Sequence, residues 1–325
     1  MERMAVLKRK LIEILADGRF HSGSEVGDLL SVSRAAVWKQ VKRLEEYGLV
    51  IHAVPGKGYQ IPAGLDLLDR DRIIQQLEPQ LLATLQSFNI ADASESLVEP
   101  VAEQLRHQGH AGFYVCLAES KILSRAKYGR ASYSTYAAYA SLAIGARLRA
   151  DHVVLDGLQP AAAVAVREAL ATNACLIKWP NELMASGKSL GHVQVDVRAM
   201  QPGYVDVLID VDVRIKSVSF LSNNPLNPII SLEGLLRMPV DRNQTIGNIL
   251  NALAALLVSC QSGGVQSYLK RWQACDLLSD RQISLTSEGR QVDGCARGLD
   301  AHGYLRVETQ QGMELFETGD VELKL

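Results

Sequence analysis

HSGSEVGDLLSVSRAAVWKQVKRLEEYG, residues 21–48, followed at once by LVIHAVPGKGYQIP, residues 49–62, decides how the chain begins. Ser22 with Glu25 three residues later has the spacing of a capping box, so a helix starts there. Ser33 can cap a second helix, whose Val37, Val41 and Leu44 recur at helical spacing and form its buried stripe. Gly48 ends that helix, and a strand, a Pro-Gly-Lys-Gly turn and a returning strand follow. Upstream, VLKRKLIEILA (6–16) places Val6, Leu7, Leu11, Ile14 and Leu15 on one face of a further helix. Three helices and a hairpin within about sixty residues predict a winged helix-turn-helix. In that fold Ser33 to Lys39 begin the recognition helix that reaches base edges, and Arg34, Trp38, Lys39, Lys42 and Arg43 stay off its buried face. Lys42, Arg43 and the wing's Lys57 then contact phosphates, which position without reading sequence.

Charge is distributed accordingly. Residues 1–60 hold ten Lys/Arg against seven Asp/Glu, whereas the other 265 hold 24 against 29. A domain of net +3 grips DNA weakly by itself, so two copies on a two-fold site, a homodimer, are expected. The five cysteines are scattered and form no CxxC, which argues against a disulfide framework or a zinc site and fits a reducing cytosol. The opening MERMAVLKRKLIEIL lacks the long apolar run of a signal peptide, and the uncharged stretch 131–146 is short of a membrane span. A cytoplasmic protein without a membrane partner is expected.

Beyond GLDLLDRDRIIQQL (64–77), a linker leading into a helix, strands and helices mix without a βαβ rhythm. YVCLA (114–118) reads as a buried strand, PAAAVAVREALATN (160–173) as a helix opened by proline, and ACLIKWPNEL as a strand stopped at Trp179-Pro180. YVDVLIDVDVRIKSV (204–218) alternates as a long, half-buried antiparallel strand. Helices over 243–260 and 265–274 follow, and Trp272 is the expected anchor of the last domain. From Arg281 onward, short strands separated by SEG, DAHG, QQG and TGD predict a small SH3-like barrel. The fold class is therefore α+β: a winged helix (1–63), a central mixed-sheet domain (64–275) and a barrel (276–325).

Winged helix, α+β domain carrying KWPN, then a small barrel: this order resembles the bifunctional biotin-protein ligase/biotin operon repressor family, BirA type. The resemblance runs nearly end to end and is strongest in FHSGSEVGDLLSVSRAAVWKQVKRL, VPGKGYQIP and IKWPNEL, with further likeness in YLKRWQACD and RGLDAHGYL. It implies a biotin/lipoate-ligase-like central domain and a two-step reaction. The biotin carboxylate attacks the α-phosphate of ATP, giving biotinyl-adenylate, and a lysine of the biotin carboxyl carrier protein then attacks the adenylate. It also implies that the adenylate-loaded form dimerises on double-stranded operator DNA.

Site residues carry over one by one. The family's adenylate loop, of GRGRRGR form, matches Ser124 to Arg130, where Arg125, Gly129 and Arg130 agree and Lys127 keeps charge without the planar fork of arginine. Ser124 and Ala126 replace two glycines, and Lys121 stands where a glutamine commonly precedes the loop. A Ser-Thr-Asn biotin contact aligns with Ala93-Ser94-Glu95. Lys178 and Asn181 in KWPNE are implied for phosphate and magnesium, with Glu182 in place of the usual aspartate. Lys188 and Gly191 match the lysine and glycine that follow, and Lys188 is implied to polarise the biotin carboxyl oxygen. Arg125 and Lys188 would be the catalytic pair, with Ser94, Lys121, Lys127, Gly129, Arg130, Lys178, Asn181 and Gly191 holding ligand. A glycine-rich GxGxN strand end aligns with Asp210-Val211-Asp212-Val213-Arg214, which puts bulk and charge where the family has hydrogen atoms.

Asp210 and Asp212 also invite a metal reading, as do His107 and His110 at HxxH spacing, but solvated surface positions account for both pairs. The expected function is an operator-binding repressor sensing biotin or biotinyl-AMP, with biotin, ATP and Mg2+ as ligands and ligation weak or lost. The alternatives are a working ligase and repressor, or a regulator whose pocket takes another ligand or only dimerises.

Overall fold

The computed structural model describes residues 2–46, 49–108, 111–122, 134–151, 153–201, 203–217, 228–287, 289–318 and 321–324. The chain opens with α1 (Glu2–Leu15), α2 (Gly23–Leu30) and α3 (Arg34–Glu46), then the two-stranded wing β1 (His52–Val54) and β2 (Gly58–Gln60). The capping box forms as read: Ser22 Oγ accepts from the Glu25 amide at 3.1 Å, and the Ser22 amide donates to Glu25 at 3.2 Å. Gly27 makes the turn into α3 possible, because a Cβ there would lie 2.8 Å from the Val32 carbonyl oxygen.

Leu11, Ile12, Leu15, Val26, Val37, Val41 and Leu44 bury themselves between these helices. Val6, expected on the buried face of α1, is exposed. The stripe instead runs through Lys8, Leu11, Ile12 and Leu15, and Lys8 forms an ion pair with Asp92 of the central domain. The expected helix face was therefore rotated, because a cation at its N-terminal end has a partner outside the winged helix. Arg9 makes a second such contact, 3.4 Å from the buried Glu119.

The central region runs α4 (Arg70–Ile74), α5 (Pro79–Thr84), β3 (Leu85–Ser94), α6 (Val98–Gln108), β4 (Phe113–Ile122), β5 (Ser134–Arg149) and α7 (Leu158–Ala169). It continues with β6 (Leu176–Lys178), β7 (Glu182–Ala185), β8 (Lys188–Gln201), β9 (Tyr204–Arg214), α8 (Leu232–Leu236), α9 (Arg242–Ser262) and α10 (Gln266–Trp272). Seven strands form one sheet in the order β3-β4-β5-β9-β8-β7-β6. β3 and β4 are parallel and every other pair is antiparallel, so the sheet is mixed, as expected.

β9 shows how the two faces differ. Val205, Val207, Ile209, Val211 and Val213 point to the main core beneath α7 and α9. Asp206, Leu208, Asp210, Asp212 and Arg214 point the other way, and this face is covered too. α6 packs across it with Val101, Ala102 and Leu105, together with Leu97 just before the helix. The strand expected to be half-buried is thus buried on both faces over most of its length, and its charges are paired rather than solvated. Asp206 receives two hydrogen bonds from Arg147, at 2.7 and 2.8 Å, both side chains being buried.

α9 is long and apolar enough to cross a membrane by length and composition, yet it is a core helix with twelve buried residues. Its first residue, Arg242, has no exposed surface and binds Glu119 at 2.7 Å and the carbonyls of Tyr139, Ala118 and Asp66. Glu119 also accepts from the Leu68 amide, so one buried ion pair ties the linker to the sheet. β10 (Gln282–Ser287), β11 (Arg290–Leu299), β12 (Leu305–Thr309), β13 (Gly312–Phe316) and β14 (Val321–Lys324) form a second, antiparallel sheet in the order β13-β12-β11-β10-β14. Trp272 lies buried in the apolar cluster shared by the two sheets, which is the anchoring position expected for it.

Candidate functional site

Two surfaces carry the chemistry, and α3 presents the first. Its buried residues occupy one side, while Ser33, Arg34, Trp38, Lys39, Lys42 and Arg43 are exposed on the other. Ser33 Oγ accepts from the Ala36 amide at 3.2 Å, so the serine caps the helix. Trp38 is 53% exposed, an unusual position for a side chain that normally drives core formation. Arg34, Trp38 and Lys42 stand four residues apart on one ridge. Among the described residues only Lys42 of these cations has an ion-pair partner, the exposed Glu45 at 3.0 Å. Lys57 reaches back from the wing to lie 5.8 Å over the Phe20 ring.

The second surface is the polar face of the seven-stranded sheet. Antiparallel partners share a face, so the register places Lys178, Glu182, His192, Asp212 and Ser141 in a row from β6 to β5. Lys178 Nζ is 3.4 Å from Glu182, His192 Nε2 is 3.7 Å from Asp212, and Ser141 Oγ donates to Asp212 at 2.6 Å. Asp210 stands one row further, opposite Gln194 and Ala143. A cavity of about 20 Å³ survives between Ser94, Glu95, Ser96, Leu97, Ala118, Ser141 and Asp210. That is room for about one water molecule. Burial pushes the thiol of Cys116, on the same face, up in pKa, so it is no nucleophile here.

The expected ligand residues divide among different surroundings. Ser94 ends β3, where its hydroxyl donates to the Ser96 carbonyl at 2.5 Å, and it pairs in register with Lys121 on β4. Gly191 packs against β9: a Cβ there would lie 2.1 Å from the Asp212 carbonyl oxygen, so strand contact alone requires glycine. Arg214, aligned with an asparagine, is committed to Tyr139 and to the carbonyls of Ser189 and Ile230. Lys188 is exposed beside the β7–β8 turn, with no ion pair among the described residues. Arg125, Lys127, Gly129 and Arg130 lie outside the described residues, as do Ser124, Ala126 and His110.

Asn181 follows the cis Trp179-Pro180 peptide and lines a much larger cleft, about 610 Å³, bounded by the start of α7, Gln194, His302 and Glu317. Its amide nitrogen donates to Gln194 at 3.1 Å. Magnesium prefers carboxylate oxygens and substrate phosphates in octahedral array. Asn181 offers one neutral oxygen and Glu182 is engaged by Lys178, so these side chains do not make a magnesium cage by themselves.

Sequence reading missed His192 and Ser141 and took Asp210 and Asp212 for solvated positions. The alternation of LGHVQVDV puts His192 on a polar face, but only the strand register shows that it meets Asp212.

Residues 7–60 match the family described as HTH domain, and residues 278–324 match the biotin protein ligase C terminal domain. The bifunctional ligase/repressor BirA of Salmonella typhimurium is 29% identical over 318 residues, covering 97% of this chain and 96% of the relative. BirA of Bacillus subtilis is 24% identical over 325 residues, covering 98% and 99%. Among solved structures, the Aquifex aeolicus biotin protein ligase in complex with biotin and ATP superposes with a TM-score of 0.55 at 16% identity, over 74% of this chain and 98% of that one. That superposition shows the fold.

Fold and surfaces together define a winged-helix protein built onto a biotin-protein-ligase scaffold. The end-to-end relatives make the likeness specific: over 97% of its length the chain is similar to the bifunctional ligase/repressors of BirA type, with an HTH domain at one end and a biotin protein ligase C terminal domain at the other.

Proposed function

We propose that the chain is a DNA-binding transcriptional repressor in which biotin ligation is weak or lost. The observation that carries this is the contrast between an exposed recognition helix and a sheet face closed by Asp210 and Asp212. Pockets for small molecules usually have about 300–1,000 Å³; the cleft at Asn181, about 610 Å³, is of that size, but the cavity at Ser94 and Asp210, where the biotin contact aligns, has about 20 Å³. Two carboxylates also stand where an anionic ligand would lie, and like charges repel.

In this reading Ser33, Arg34, Trp38 and Lys39 meet base edges, while Lys42, Arg43 and Lys57 meet phosphates. A homodimer binds a two-fold operator in the cytoplasm. The domains divide as 1–63, 64–275 and 276–325. Biotin and ATP, both held in the Aquifex aeolicus neighbour's structure, are the ligand classes of a working ligase, and a closed face predicts that this chain binds biotin weakly or not at all. Should ligation persist, Arg125 and Lys188 are its catalytic pair, Ser94, Lys121, Lys127, Gly129, Arg130, Lys178, Asn181 and Gly191 are its ligand contacts, and the carrier protein is its second substrate. The small cavity favours a second reading, in which the sensed ligand is something other than biotin.

The test has two arms. Purified protein should select a palindromic DNA site and bind it with steep salt dependence; no selectable site would end the repressor reading. A single-turnover assay with ATP, Mg2+, biotin and a carrier domain should show little or no transfer, and rapid transfer would establish the working ligase instead.

A further inference from the structure

We propose that His192, Asp210 and Asp212 form a binding site for a divalent first-row transition-metal ion. The three side chains sit on adjacent central strands, His192 directly opposite Asp212 and Asp210 two residues along on the same face. Their ligand atoms all lie within 4.8 Å of one another. His192 Nε2 and Asp212 Oδ2 are 3.7 Å apart, too far for a hydrogen bond. Two donors bound at about 2.0–2.2 Å to one ion stand about 3.0–3.6 Å apart. The observed spacing is close to that range, and small side-chain rotations bring in Asp210.

The donors are held in place. The Asp212 side chain is only 4% exposed, and the Ser141 hydroxyl fixes its Oδ1 at 2.6 Å, which turns Oδ2 toward His192. An outer partner that orients a ligating carboxylate is characteristic of metal centres. The imidazole separates this set from an ordinary acidic patch. One nitrogen and two carboxylates suit zinc, manganese, iron or cobalt better than the all-oxygen shells that calcium and magnesium prefer. His192 is 48% exposed, so the site opens to water on one side. Three protein ligands with an open position are the pattern of a site that exchanges or activates a ligand, not of a closed structural one.

The test uses the full chain, stripped of metal by dialysis and titrated with Co2+ in the visible and with Zn2+ by calorimetry. One equivalent should bind, with cobalt d–d bands and no thiolate-to-cobalt charge-transfer band, since none of the five cysteines belongs to the site. His192→Ala and Asp210→Asn, both at partly exposed positions where folding is readily checked by circular dichroism, should each weaken binding at least tenfold. Ser141→Ala should weaken it by about tenfold through loss of orientation. Absence of stoichiometric binding, binding indifferent to both ligand variants, or a thiolate band would each overturn the assignment. The repressor reading is measured on DNA and stands or falls separately.

Discussion

Helix α3 and strand β9 both carry a row of charged side chains, and they use them in opposite ways. On α3, Arg34, Lys39 and Arg43 stand in water without ion pairs among the described residues, and the single pair, Lys42–Glu45, is exposed and cheaply exchanged. On β9, Asp206 is bound by Arg147, Asp212 by Ser141, and Arg214 by Tyr139 and two carbonyls. A charge kept solvated costs little to transfer to a phosphate or a base. A charge buried and satisfied inside a sheet is committed to the fold. In the reading proposed above, the difference separates the surface that meets DNA from a surface whose charges are engaged within the sheet.

Four substitutions sharpen or break this contrast. Asp206→Ala leaves Arg147 as an uncompensated buried charge and should cost about 3–5 kcal/mol in chemical denaturation. A cost below about 1 kcal/mol would mean that β9 is not committed as described. Arg34→Ala should lower affinity for a selected operator by about 1–3 kcal/mol and leave stability within about 0.5 kcal/mol, read by fluorescence anisotropy and thermal melts. Unchanged affinity would remove Arg34 from the recognition set. Asp210→Gly combined with Asp212→Gly should reopen the sheet face and raise biotin affinity at least tenfold by calorimetry. A flat response would locate the obstacle elsewhere.

The smallest effect is a pH dependence of the winged helix. Partial burial opposes protonation of His21, but hydrogen bonds to Asp17 and Glu25 outweigh it and raise the histidine above its ordinary 6.5. A raised folded-state pKa gives stability that is fully present below 6.5 and lost as pH rises through the folded value. The melting temperature should therefore fall modestly above neutrality, and His21→Gln should flatten that slope.

Local signals made the fold legible. The capping box at Ser22, the Pro-Gly-Lys-Gly wing and the alternation of residues 204–214 each fix an element from neighbouring residues. Three things were not legible, because each depends on residues far apart in the chain. Lys8 replaces Val6 on the inner face of α1 only because Asp92 waits for it. Asp212 reads as a surface carboxylate until α6 is seen covering its side of the sheet. Of the candidate site, the sequence showed which residues had changed. It could not show that Lys178, Glu182, His192, Asp212 and Ser141 fall into one row, since strand register determines that.

The central claim is that the DNA-reading surface is kept while the biotin face is closed, and calorimetric titration of the full-length protein with biotin and then biotinyl-adenylate tests it most directly. The account predicts no saturable one-to-one binding of either ligand at micromolar concentration, in the same preparation that binds its selected operator. Stoichiometric micromolar binding would contradict it and would mean that the face opens around Asp210 and Asp212 when ligand arrives.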